Sequence, residues 1–409
     1  MRRFAAACCI AVVLAFAAGT TARGSGTDAR TRFDRRIDAI PERTLLTVAP
    51  QTLVDPVRQH SARVLTDVRE GLFFAWAFAQ IWAFAWLWRS GNGASLRNAL
   101  RRRVRSRVAL RAAFGAVLGI LAPLAALPFA FAAYRVAFNA DLSEEPMAAW
   151  AAQYALGMAA DAVCSAVVVT VALELVDRTR LWYLFVIGFL YVAVVGIVAV
   201  EPVLLSPLVT PMTPARMQAS APVEIAKSSL RTHTLVARAV GIGPFSRIVV
   251  GDVLVASATP PEVAYVIAHE DAHVRHGDVL KLTLIAVTML VFACAIAVLI
   301  SDRIGFRRDD DPVSRLALVG AVLGGVALVM LPLYNAYARG IEFRADEDAR
   351  QTLARPEPAV RFLVRRADDD MVPLCYRRSL SWYFADHPAI GSRMAEMRGT
   401  GDPCPRYVR

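Results

Sequence analysis

A chain of 409 residues that is 56% hydrophobic, with a mean hydropathy of +0.44, is too apolar for an ordinary soluble domain and points to a membrane protein. Its formal net charge of +11 does not make it a nucleic-acid binder. The basic residues are almost all arginine and collect in RSGNGASLRNALRRRVRSR (89–107), between two apolar runs, where cytoplasmic retention explains them, and no aromatic-basic binding module accompanies them.

In chain order, Arg2 and Arg3 precede an apolar run and then small residues through Ala22, so 1–24 reads as a signal peptide or a first membrane anchor. Residues 25–70 are polar, mixed in charge and helical in part. Membrane helices are expected over 71–203, from apolar runs at about 72–88, 112–134, 155–176 and 181–200, each near the ~20 residues that a bilayer core requires. Trp86, Trp88, Trp182 and Tyr183 mark interfacial ends. Asp161, Glu174 and Glu201 are ionisable groups in or near spans; they face an interior or, for the last two, snorkel to the interface. From 204 to 409 the chain is mostly polar, interrupted by further spans at about 282–300 and 316–338. That makes six spans, or seven with the N-terminal run. SRIVVGDVLVAS has the β-branched content of a strand or hairpin, and Pro260–Pro261 opens a helix that includes VIAHEDAHVRHGD (266–278).

Three of the six histidines fall in that helix. His269-Glu270-Asp271-Ala272-His273 is H-E-x-x-H: histidines one turn apart project from one face and can bind one Zn²⁺, with Glu270 beside the first ligand as a base for a bound water. A hydrolytic zinc site needs a third protein ligand and an open position. RGIEFRADEDA (339–349) offers Glu342 as that ligand, and Asp346, one turn on, as a carboxylate that orients a ligand histidine. His276 points off the metal's side; His60 and His233 have no motif around them.

HEDAHVRHGD, EFRAD and SWYFADHPAIGSR together resemble the integral-membrane zinc endopeptidases of the CAAX prenyl protease type I group, relatives of the heat-shock membrane peptidases. PVLLSPLVTPMTP and GIGPFSRIVVGDVL are similar to the group's proline-rich entry and strand pair. The resemblance covers about 180–409 well and the earlier spans in hydropathy only. It implies a mainly α, multipass protein with a zincin-like helical domain and a small β-hairpin. It also implies one Zn²⁺ on His269, His273 and Glu342, with Glu270 as general base and His387 and Arg393 stabilising an oxyanion. Where the group carries Asn-Ala-aromatic, this chain has Val236-Ala237-Arg238, which leaves backbone pairing of an extended substrate with the strand edge.

The expected partners are a peptide or membrane-protein substrate and the lipid bilayer, in the plasma (inner) membrane. A regulatory sensor peptidase would carry an added ligand-binding domain, and no segment is long enough for one. A transporter or scaffold with structural zinc has no use for a base beside the ligand. The group's likeness suggests a cytosolic site. The Arg-rich loop, set against Asp141, Glu144 and Glu145 in the next, puts 204–278 and the tail outside. Cys375 and Cys404 are the cysteines in soluble parts, and an oxidising compartment would let them pair.

Overall fold

In a computed structural model of the chain, the described residues are 36–204, 206, 210–304, 312–353, 355–377 and 382–404. The signal-like run 1–24 lies outside them. Two short helices, α1 (Glu42–Thr47) and α2 (Pro50–Leu53), lead into long α3 (Pro56–Arg89), then α4 (Asn92–Arg103), α5 (Arg107–Asn139), α6 (Met147–Arg178) and α7 (Trp182–Leu204). Next come strands β1 (Met212–Ala215), β2 (Val223–Ala226), β3 (Ala237–Val240) and β4 (Arg247–Gly251), and then α8 (Asp252–Ser257) and α9 (Pro260–His276). The chain finishes with α10 (Asp278–Ile304), α11 (Pro312–Leu353), α12 (Glu357–Asp369) and α13 (Ile390–Arg398).

Six of these helices, α3, α5, α6, α7, α10 and α11, are long and apolar enough to cross a bilayer, matching the six apolar runs but extending beyond them. At 1.5 Å per residue, the 42 residues of α11 reach about 63 Å, roughly twice a hydrocarbon core, so its second half stands clear of the membrane. Helices α5 and α6 meet through glycine: a Cβ on Gly115 would lie 2.7 Å from the Ser165 carbonyl oxygen, and one on Gly119 would collide with the Asp161 carbonyl. Small residues at such contacts let the backbones close up where no hydrophobic force draws helices together. Glu174 sits at the end of α6 in an ion cluster with Arg111 and Arg178, Glu201 accepts a bond from Ser206, and Asp161 is exposed.

The water-facing half is built around a mixed sheet of order β1-β2-β4-β3. The expected hairpin is present as β3–β4, antiparallel across the Gly241–Gly243 turn, but within four strands, because β2 adds to β4 in parallel and β1 to β2. SRIVVGDVLVAS, expected as a strand or hairpin, is a strand in its first half alone, which stops at Gly251. Asp252 then starts α8, its carboxylate taken by the Ser228 and Ser229 hydroxyls and the N–H groups of Ser229 and Val253. Ile248 and Val250 of β4, Tyr265 and Val266 of α9, and Val360, Leu363 and Val364 of α12 form one core. Ile37, Leu45, Leu53 and Val54 belong to it as well, so the polar lead before the first span packs on this half.

Candidate metal centre and active site

Helix α9 starts where its sequence says it should. Thr259 and Glu262 form a reciprocal capping box ahead of Pro260 at the first turn. Glu262 is wholly buried and works twice: it accepts from Thr259 N at 2.7 Å, and its other oxygen takes Arg365 Nε at 3.1 Å. Arg365 also reaches Asp38 at 2.5 Å, so one guanidinium ties the N-terminal segment, α12 and the histidine-bearing helix together. The helix ends at Gly277, whose φ of 64° is the left-handed value that glycine adopts without a Cβ penalty. That turn redirects the chain into α10 and brings Asp278 back toward His273.

His269 and His273 lie one turn apart with their Nε2 atoms 3.2 Å from each other, and both face Glu342 on α11 at 3.4 Å. Donor atoms of the three residues all fall within 4.8 Å of one another, and all three are buried: a group that could hold a metal ion. Each imidazole has a carboxylate behind it, Asp346 at 2.9 Å from His269 Nδ1 and Asp278 at 3.1 Å from His273 Nδ1. Such partners fix the ring and leave Nε2 free to ligate. Burial disfavours a charged imidazolium, yet Asp278 and Glu342 outweigh it and raise His273 to about 10, while Asp346 and Glu342 raise His269. The pocket therefore calls for positive charge. Glu342 Oε2 is buried without a hydrogen-bond partner, an orphaned acceptor of the kind a cation satisfies. The donor set fits a divalent metal.

Two predicted residues come from the C-terminal part. His387 stands at the mouth, 39% exposed, with Nε2 3.5 Å from Glu342 and Nδ1 held by Asp386 at 2.9 Å. Its loop is fastened to α11, since Asn335 donates to the Tyr383 carbonyl at 2.6 Å and Arg339 to that of Ala385 at 2.6 Å. Phe384 packs edge-on against Phe73 and Phe74 of α3. Arg393 lies deeper: it is buried and gives Asp346 two hydrogen bonds of 2.7 Å, while the Tyr265 hydroxyl gives Asp346 a third of 2.8 Å. Its guanidinium is thus engaged behind His269.

Glu270 is buried beside the donor cluster, and its carboxylate accepts from the backbone N–H of Ala239 at 2.7 Å. The contact reveals the edge. Gly251 N–H bonds to the Val236 carbonyl, and in the β3–β4 register Arg238 and Val240 continue that pairing, so Ala237 and Ala239 turn their polar groups outward over α9. A cavity of about 270 Å³ opens between this edge, Val266 and Phe362, with Arg366 in its wall, and reaches His269, Glu270 and His387. His276 bonds Asp348 at 2.7 Å and stands apart, and His233 interacts with Asp141 and Glu144. Cys375 and Cys404 form a disulfide.

Sequence reasoning missed Asp278, Tyr265, Asn335 and Arg339. Asp278 alone had a local signal, as a carboxylate just past a glycine that ends the histidine helix. The others act across 43 to 81 positions of sequence, where spacing carries no information.

Residues 213–400 match the family model described as Peptidase family M48. A protein of Bordetella petrii named "Protease HtpX homolog" is 30% identical over 168 residues, 37% of this chain and 57% of that protein. One of the same name from a Janthinobacterium species is 28% identical over 162 residues, 36% and 55%. The chain thus spans little more than half the length of these curated relatives. The crystal structure of S. mikatae Ste24p superimposes with a TM-score of 0.67 at 16% identity, covering 91% of this chain and 97% of that one, so the two share a fold. The membrane-peptidase resemblance legible in the motifs holds: residues 213–400 are similar to peptidase family M48, in a chain with six helices long and apolar enough to cross a membrane.

Proposed function

We propose that this protein is a membrane-embedded zinc metalloendopeptidase that cleaves peptides or membrane-protein segments. The observation that carries the reading is the convergence of His269, His273 and Glu342 donor atoms within 4.8 Å, with Glu270 beside them and bonded to the edge strand β3. Zinc, when bound there, would supply Lewis acidity to a water and to the scissile carbonyl. The chain's own groups do the rest. An extended substrate adds to β3 through the outward amides and carbonyls of Ala237 and Ala239, so the Val236-Ala237-Arg238 sequence costs no backbone contact. One substrate side chain enters the cavity walled by Val266 and Phe362.

Glu270 takes the proton of the attacking water and passes it to the leaving amine. As substrate pairs with β3 it competes for the Ala239 N–H, which frees a carboxylate oxygen of Glu270 for that transfer. His387, on the open side, donates toward the oxyanion as the tetrahedral state forms. Arg393 supports the same step from behind, by keeping Asp346 ionised and aimed at His269. A purely structural metal site would have no use for Glu270 or for the open side at His387.

The membrane orientation follows the charge pattern, with the active site on the extracytoplasmic face; the Cys375–Cys404 disulfide supports it, since such bonds persist in oxidising compartments. The test pairs two variants of the purified full chain on a peptide library. Glu270→Gln should keep one zinc per chain and lose turnover, whereas Glu342→Ala should lose the metal. Turnover surviving in Glu270→Gln, or zinc surviving in Glu342→Ala, refutes the assignment of that residue. A reporter joined to the C-terminus and active only in the cytoplasm would refute the orientation.

A further inference from the structure

The proposed reaction makes no use of the arginine-rich loop, yet the fold shapes that loop into a cavity. Helix α4 folds back against the start of α5, and between them and the end of α6 lies a space of about 360 Å³. Five arginines line it: Arg97, Arg101, Arg105, Arg107 and Arg111. Two carboxylates stand against them and are already engaged. Arg111, 5% exposed, binds Glu174 at 2.5 Å and also binds Asp177; Arg107 reaches Asp177 at 2.6 Å, and Arg178 reaches Glu174 at 3.1 Å. Arg97 donates to Asn98 at 2.7 Å. Neither Arg101 nor Arg105 has an acidic partner among the described residues. Beyond these groups the wall is formed by Val104, Ser106, Leu110, Leu173 and Val176, apolar except for the one hydroxyl.

The depth of this cavity follows from where the apolar runs stop. Those at about 112–134 and 155–176 end roughly five and two residues short of Arg107 and Arg178, about 8 and 3 Å along the helix axes, which sets these helix ends at headgroup level. A cavity at that level, with exposed arginines beside a mostly apolar wall, matches a phosphate ester attached to glycerol. Guanidinium forks suit phosphate oxygens, and basic pockets between membrane helices take anionic headgroups. Charge kept only for cytoplasmic retention would need no cavity and would not depend on which arginines were present.

We infer that this cavity holds the phosphate of an anionic phospholipid headgroup, gripped by Arg101 and Arg105, with the glycerol end against Leu110, Leu173 and Val176. The test is native mass spectrometry of the full chain in mild detergent with equimolar dioleoyl phosphatidylglycerol and dioleoyl phosphatidylcholine. One phosphatidylglycerol should stay bound per chain, in at least tenfold preference. R101Q/R105Q should lose that preference; R102Q/R103Q, which removes the same charge outside the cavity, should keep it, with thermal midpoints checking that both fold. R101K/R105K, keeping charge without the fork, should fall between. Equal retention of both lipids overturns the inference, as does equal loss in the two glutamine variants. So does displacement of phosphatidylglycerol by equimolar orthophosphate, which would make a soluble phosphate the ligand.

Discussion

The membrane helices before residue 204 and the water-facing half bury different things. Among the described residues, Arg111 is the one charged side chain buried in the first region, and glycine does the close work between α5 and α6. The second region buries Glu262 with Arg365, Asp346 with Arg393, and the histidine–carboxylate cluster between them. A buried ion pair is poor evidence of stability, because desolvation offsets the attraction. These pairs instead set the direction of specific atoms: Arg365 anchors the cap of α9, and Arg393 fixes the carboxylate behind His269. Small residues fix only how near two helices come. On this view a site that must aim atoms uses charge, and a bilayer wall uses shape.

The largest effect should come from Glu270, the charge proposed to move a proton. Glu270→Gln is expected to lower turnover by about 10²–10⁴-fold, measured on purified protein with its metal content unchanged. Next is the charge that aims a ligand. Arg393→Met leaves Asp346 buried without its partner and should cost about 3–5 kcal/mol, read from the unfolding midpoint. Adding Asp346→Asn should return part of that loss; if Arg393→Met alone is silent, the contrast between the two regions fails.

Cys375→Ser should cost about 2–4 kcal/mol, the usual worth of closing a loop of this size, and added reductant should shift wild type toward the variant. Asp278→Asn should weaken metal affinity about 10–100-fold by loosening His273, measured by competition with a chelator. An unchanged affinity would leave Asp278 a mere neighbour.

The smallest effect tests the membrane half. Gly119→Ala pushes a methyl into the Asp161 carbonyl and should destabilise by about 1–3 kcal/mol, whereas Gly157→Ala on α6 enters open space and should be neutral or slightly favourable. Equal outcomes would mean that close approach does not hold these helices.

Much of this was legible in one dimension because the signals are local. Hydropathy gave six spans, since each helix must satisfy its own backbone in lipid and therefore shows as a long apolar run. H-E-x-x-H and the Glu342–Asp346 pair depend only on the pitch of one helix. Helix α8 is not legible in the same way: β-branched DVLVAS favours a strand in isolation, and four contacts to Asp252 start a helix there instead. The N-terminal segment from Ile37 to Val54 looked like a polar lead, because its apolar residues are few and meaningful only against α12.

By itself, then, the sequence determined the class of protein, the number of spans in the described region, and which side chains can share a face. Only tertiary structure decided that Asp278 backs His273, that Arg393 is spent on Asp346, that Ala239 reaches Glu270 from a sheet edge, and that five arginines enclose a cavity. The physical reason is range. Helical periodicity and hydropathy act over a few residues and leave a trace in composition. Pairing of charges and strand edges acts through space between segments tens to hundreds of residues apart, and no pattern along the chain records which of them will meet.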